Sequence, residues 1–181
     1  MGLQEDIKAK LAEKSVTRIH GQPSDRDITR LKRELTKMTA NIATGLGGGK
    51  HGHMGIIIEE EEYIKFLEGG KSFDIPAHPG HFPDTVSSVA ATRDKQVAKH
   101  KALITEYEVC AGVINGVKEK IAEAVDEEWL EEIIDDILGF QNKTVQEMLK
   151  HLEDHGGKVD YIDIQEMKKE RDALSELGSM L

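Results

Sequence analysis

Four histidines in two pairs are the side chains best suited to chemistry. His51 and His53 lie in the run Gly47-Gly48-Gly49-Lys50-His51-Gly52-His53, and His78 and His81 lie in a segment holding three of the four prolines. Together they could hold zinc, which accepts histidine nitrogen in tetrahedral sites. Structural zinc sites more often include cysteine, and histidine in such loops also serves as a packing and hydrogen-bonding side chain, so zinc is the alternative reading. The glycine run with Lys50 also has parts of a phosphate cradle, because glycine amides and a lysine can wrap an anion. A phosphate loop needs GxxxxGK[ST] between a strand and a helix, whereas here a helix precedes and His51 replaces the Ser or Thr.

Cys110 falls on the apolar face of a predicted helix beside Tyr107 and Ile114. A buried inert thiol is expected there, since a nucleophile wants an exposed electropositive setting. Carboxylates crowd residues 126–136, but acids alternating with apolar residues on a helix form a solvated face, not an acid/base pair. With no GxSxG or HExxH element, the expectation is a non-enzymatic protein with no cofactor and no small-molecule substrate.

The elements that must position these residues follow from composition and periodicity. A chain of 181 residues is one domain, or one domain with a helical appendage. Hydrophobic residues make up 38% and aromatics only 4%, which favours amphipathic helices over sheets. The single cysteine excludes an internal disulfide and fits a reducing, cytoplasmic setting. No stretch approaches the roughly 18 apolar residues of a membrane span, and the N-terminus lacks the apolar core of a signal peptide, so no membrane partner is expected. The net charge of −10 is uneven: residues 1–50 carry ten Lys/Arg against six Asp/Glu, and the remainder fourteen against twenty-eight. Lys8, Lys10, Lys14, Arg18, Arg26, Arg30, Lys32, Arg33 and Lys37 are therefore candidate nucleic-acid contacts. The same residues could instead be solvated helix faces, or meet the acidic body of a second molecule.

Leu3, Ile7 and Leu11 predict a short peripheral helix. Ser24 or Asp25 caps a second, with Ile28, Leu31, Leu35, Met38 and Ile42 on its apolar face and the glycines from Gly45 ending it. From about Val89 a long helix carries Val97, Ile104, Tyr107, Ala111, Ile114, Ile121 and Val125 on one face, with a kink or close packing expected at Gly112 and Gly116. Asp126 is expected to cap a further helix with Trp129, Leu130, Ile133, Ile137 and Leu138 inward, closed by Gly139. Thr144 and Glu147 form a capping box before Val145, Met148, Leu149 and Leu152. A last helix begins at Asp160 or Asp163, with Glu166, Ile164, Met167 and Leu174. The sum is an all-α fold of five or six helices with a long Gly/Pro/His-rich loop. Residues 1–22 would form a basic helical arm and 23–181 the body, with a possible subdivision near 85–95. The expected core is Ile28, Leu31, Leu35, Met38, Ile42, Tyr107, Ile114, Ile121, Trp129, Ile133, Ile137, Met148, Leu149 and Leu152.

The segment from Asp27 to about Leu174 resembles the Gag-like proteins of copia-type retrotransposons, especially the divergent group in protists and algae. The resemblance is carried by the amphipathic helix ending in Asn41-Ile42, the run Gly47 to Ile56, Tyr63, and His78-Pro79-Gly80. It continues through the helix containing Tyr107, Ala124-Val125-Asp126 with Leu130, Gly139-Phe140, Thr144, Met148-Leu149 and His151-Leu152. It implies a helical capsid-like domain that self-associates, as a homo-oligomer or lattice, around element RNA. Such proteins often carry a basic tail or a Cys/His zinc knuckle. With one cysteine here, RNA contact would fall to the basic N-terminal residues, through salt-sensitive and sequence-blind phosphate contacts. The competing expectation is a small helical protein- or metal-binding module using the loop 47–83.

Overall fold

A computed structural model describes residues 2–65, 72–82, 87–156 and 161–179, the last segment through its backbone alone at 161–167 and 179. Its α-helices are α1 (Leu3–Ala12), α2 (Asp25–Ala40), α3 (Glu60–Lys65), α4 (Ala90–Ala124), α5 (Val145–His155) and α6 (Tyr161–Ser179). Single 3₁₀ turns occur at Leu46–Gly48, Met54–Ile56 and Glu127–Trp129. Every regular element among the described residues is helical, so the fold is all-α, as the hydrophobic periodicity predicts. Asp160 lies outside the described residues, as do the side chains of Asp163, Ile164, Glu166 and Met167.

The core forms where three amphipathic stripes meet. Ile28, Leu31 and Leu35 of α2 and Val145, Met148, Leu149 and Leu152 of α5 pack with Cys110, Val113, Val117 and Ile121 of α4. Met38, Ile42, Ile114, Trp129 and Ile133 are half-buried against this cluster. Tyr107 is half-buried, its ring meeting His78 edge-on with centroids 4.9 Å apart. Both N-termini are held by reciprocal caps. Ser24 Oγ accepts from the Asp27 amide at 3.1 Å and Thr144 Oγ1 from the Glu147 amide at 3.0 Å, while each acid accepts from the cap residue's own amide. A cap of this kind contributes about 1 kcal/mol.

The first helix is not peripheral. Ile7 and Leu11 are buried along α4, and the following strand-like stretch is tied down by the Ile19 amide donating to Ala124 O at 2.7 Å. The narrow apolar stripe suffices because α4 offers a groove: a Cβ added at Gly112 would lie 2.7 Å from Gln4 O, and one at Gly116 would lie 2.6 Å from Leu11 Cδ1. The glycine pair in the long helix thus serves close helix packing. Gly112→Ala should gain roughly 1 kcal/mol of helix propensity yet lose about 1–3 kcal/mol to overpacking against a main-chain oxygen. A net drop in the urea midpoint is expected. An increase would mean that α1 can shift outward at little cost.

Residues 127–138 do not form the expected helix. One 3₁₀ turn is followed by turns, and Ile137, placed in the core by its periodicity, is 91% exposed. The reason is charge: Glu127/Glu131, Glu128/Glu132, Glu131/Asp135 and Glu132/Asp136 would stack like charges at i,i+4, with Asp135 and Asp136 at the unfavourable C-terminal end of the dipole. Asp135 instead builds its own turn. Its carboxylate accepts from the amides of Ile137 (2.9 Å) and Leu138 (2.8 Å), and its backbone exchanges two 2.9 Å hydrogen bonds with Gly139. Those two amide donors hold the Asp135 carboxyl below its ordinary range. Nor does α4 bury its whole apolar face. Residues 90–99 are exposed and Val97 is 47% accessible, so the N-terminal ten residues of this helix lie on the surface.

Candidate functional site

The glycine- and histidine-rich segment folds back over the end of α2. That helix stops at Ala40, before the glycines, because the segment docks on its last carbonyls: the His53 amide donates to Thr39 O at 2.9 Å and His53 Nδ1 lies 2.6 Å from Ile42 O. Gly52 has φ +56°, and a Cβ there would come within 2.8 Å of the carbonyls of Ala40 and Ile42. Tyr63, fully buried on α3, donates its hydroxyl to Gly47 O at 3.1 Å. Burial raises the Tyr63 phenol above its ordinary value, so it stays a donor. Phe73 meets Tyr63 edge-on at 5.7 Å and His53 at 6.1 Å. It also lies where Gly55 would carry a Cβ. Three of the glycines are therefore packing positions, and of the amides an anion cradle would use, that of Gly49 is already donated to Leu46 O.

The histidines do not converge on a metal. Among the described residues, His51, His53, His78 and His81 form no set of three or more ligands. His78 Nδ1 accepts from the Gly80 amide at 2.9 Å, His81 is exposed, and His53 is fully buried as part of the packing. Burial lowers the proton affinity of His53, against the opposing pull of the Ile42 carbonyl and Glu106. Its folded pKa lies below the ordinary 6.5, so the unfolded chain takes the proton first as pH falls. Its share of stability is complete above 6.5 and is lost as pH drops from there through the lower folded value. Urea midpoints measured between about pH 7.5 and 5 should fall in the wild type and fall less in His53→Gln. Equal losses in both would exclude His53 as the source.

Beside this packing knot runs a cleft of about 550 Å³, walled by Ile56, Tyr63, Phe73, Ile75 and Ile114 and floored by residues 141–146. Lys118 projects to it and is 8% exposed, its Nζ donating to Phe140 O at 2.9 Å. Burial lowers its proton affinity, while Glu147 partly restores it. Lys120 is also buried and reaches Ala12 O (3.1 Å) and Glu123 (3.0 Å), holding the end of α1. Charge counting along the chain missed both lysines, since lysine ordinarily reads as surface. Cys110 is buried, and burial aided by Glu106 pushes its thiol up to about 12. It is a protonated core thiol, unsuited to attack at neutral pH.

The basic residues divide. Lys8 pairs with Glu119 (2.9 Å), Arg18 with Asp126 (2.5 Å), Arg30 with Asp27 (3.2 Å), and Lys32 with Glu153. Lys10, Lys14, Arg26, Arg33 and Lys37 are exposed. Arg26, Arg30, Arg33 and Lys37 follow the 4-3-4 spacing of one helix face, and the three arginines line a shallow depression on α2 with Asp25 and Thr29. Thus Lys8, Arg18 and Lys32 tie separate segments together, and Arg26, Arg30, Arg33 and Lys37 form a cationic stripe on the surface, in which Arg30 pairs with Asp27 of its own helix.

Large apolar side chains are also displayed. Besides Ile137, Ile134 (39%) and Leu138 (47%) are exposed on the same acidic excursion, and Leu174 (70%) and Leu177 (61%) on α6. No described helix is long and apolar enough to cross a membrane. Comparison of the chain with family models, curated proteins and solved structures finds no match.

Proposed function

We propose that this chain is a non-enzymatic, self-assembling capsid-like protein of the Gag type, from a retroelement or a domesticated derivative of one. The observation that carries the reading is the turn at 135–139. Asp135 and Gly139 close it, and it holds Ile137 out in water between Ile134 and Leu138. Burying such a side chain contributes about 1.5–3 kcal/mol, so an isoleucine held in water by its own turn favours contact with another surface. In this reading the surface is a second copy of the chain. The α2 stripe of Arg26, Arg30, Arg33 and Lys37 supplies sequence-independent contact with RNA phosphates.

Mass photometry or light scattering over a concentration and salt series, with and without RNA, tests the proposal. Discrete large assemblies are expected, promoted by RNA and dissolved by salt. Ile137→Asp should weaken self-association at least about tenfold, from the lost burial, and leave the urea midpoint nearly unchanged because Ile137 makes little contact within one chain. A wild-type chain that stays monomeric at every concentration, with and without RNA, sinks the reading.

A further inference from the structure

The one group of possible metal ligands among the described residues lies away from the glycine-rich segment, on α5 and the acidic excursion. His151 and His155 are i,i+4 neighbours on α5, their rings stacked with centroids 4.2 Å apart at 30°. Glu132 faces them, its Oε2 3.4 Å from His155 Nε2, and one ligand atom from each of the three residues lies within 4.8 Å of the others. With metal bonds of about 2.0–2.1 Å, tetrahedral zinc places its ligand atoms about 3.3 Å apart. The Glu132–His155 pair is already at that separation, while His151, stacked on His155 with its ligand atom within 4.8 Å of the other two, must turn its ring to converge on the same ion.

We propose that Glu132, His151 and His155 form a zinc site that ties the acidic excursion to α5. The ring orientation supports this. His155 Nδ1 is 3.0 Å from the His151 backbone oxygen, a contact that orients the ring with Nε2 facing Glu132. Metal-binding histidines are commonly oriented through such a carbonyl contact. Two imidazoles and one carboxylate suit zinc and not the oxygen-seeking magnesium or calcium. The groups are partly exposed, so an ion can reach them from solvent, and a water completes the tetrahedron. The 131–133 turns and α5 are separate local structures, and the metal would cross-link them.

Isothermal titration of the full chain with zinc chloride alone should give one site with a dissociation constant of about 10 μM or tighter. Glu132→Gln, His151→Gln and His155→Gln should each weaken it at least about tenfold, whereas His81→Gln, an exposed imidazole elsewhere, should not. Zinc should raise the wild-type melting temperature by mass action and have a smaller effect in the three variants. Magnesium and calcium should give no heat at the same concentrations. Melting curves without metal, unchanged among the variants, confirm that the fold is intact. The proposal is overturned by the absence of a one-to-one site tighter than about 100 μM, or by zinc affinity that survives all three substitutions.

Discussion

Gly52→Ala should destabilise the protein by roughly 2–5 kcal/mol, the sum of about 1–2 for a left-handed backbone and about 1–3 for overpacking. At φ +56° an alanine is strained whatever the surrounding space, and here the space is also filled. Its Cβ would press on the carbonyls of Ala40 and Ile42, main-chain atoms at the end of α2 that cannot rotate aside. Relief would require withdrawing the His53 amide from Thr39 O, which reopens the end of the helix. Gly21→Ala is the control, since its φ of +69° carries the backbone cost with nothing nearby to strike. Urea unfolding of the two variants separates the terms. Equal losses would show that the docked segment yields easily.

Tyr63→Ala should cost about 3–5 kcal/mol, the range for emptying a fully buried aromatic site. The ring fills the space between Gly47 and Phe73, and both neighbours are committed to it: Gly47 carries no Cβ where the ring lies, and Phe73 packs on its edge. Tyr63→Phe keeps the ring and removes only the hydroxyl bond to Gly47 O, so a loss of about 1–3 kcal/mol is expected, the cost of leaving a polar partner unpaired. Thermal and urea unfolding of the pair measures both. A small effect from the alanine would mean that residues 45–58 collapse into the vacated space, and that this segment owes its conformation to the end of α2 alone.

These variants mark where reading the chain by periodicity and motif succeeds and where it runs out. Helix caps are legible because all their parts lie within four residues: Ser24 with Asp27, and Thr144 with Glu147. The apolar stripes of α2 and α5 are legible for the same reason, since a helix face is a local repeat. In the acidic excursion two local signals conflict, an apolar spacing that favours a helix and i,i+4 acid pairs that oppose it, and both are present in the sequence. The metal ligands divide in the same way. His151 and His155 have a readable helical spacing, but Glu132 comes from another segment and only folding brings it to them.

Composition and local pattern by themselves determined an all-helical chain, the starts of α2 and α5, and a lone thiol set among apolar residues. Each of these depends on neighbours within a turn or two of helix. Tertiary structure alone decided that α1 belongs in the core, that the glycine run is packing for Tyr63, Phe73 and the end of α2, and that Lys118 and Lys120 are buried. In each case the deciding partner lies far from the residue along the chain, and a helical repeat records only near neighbours.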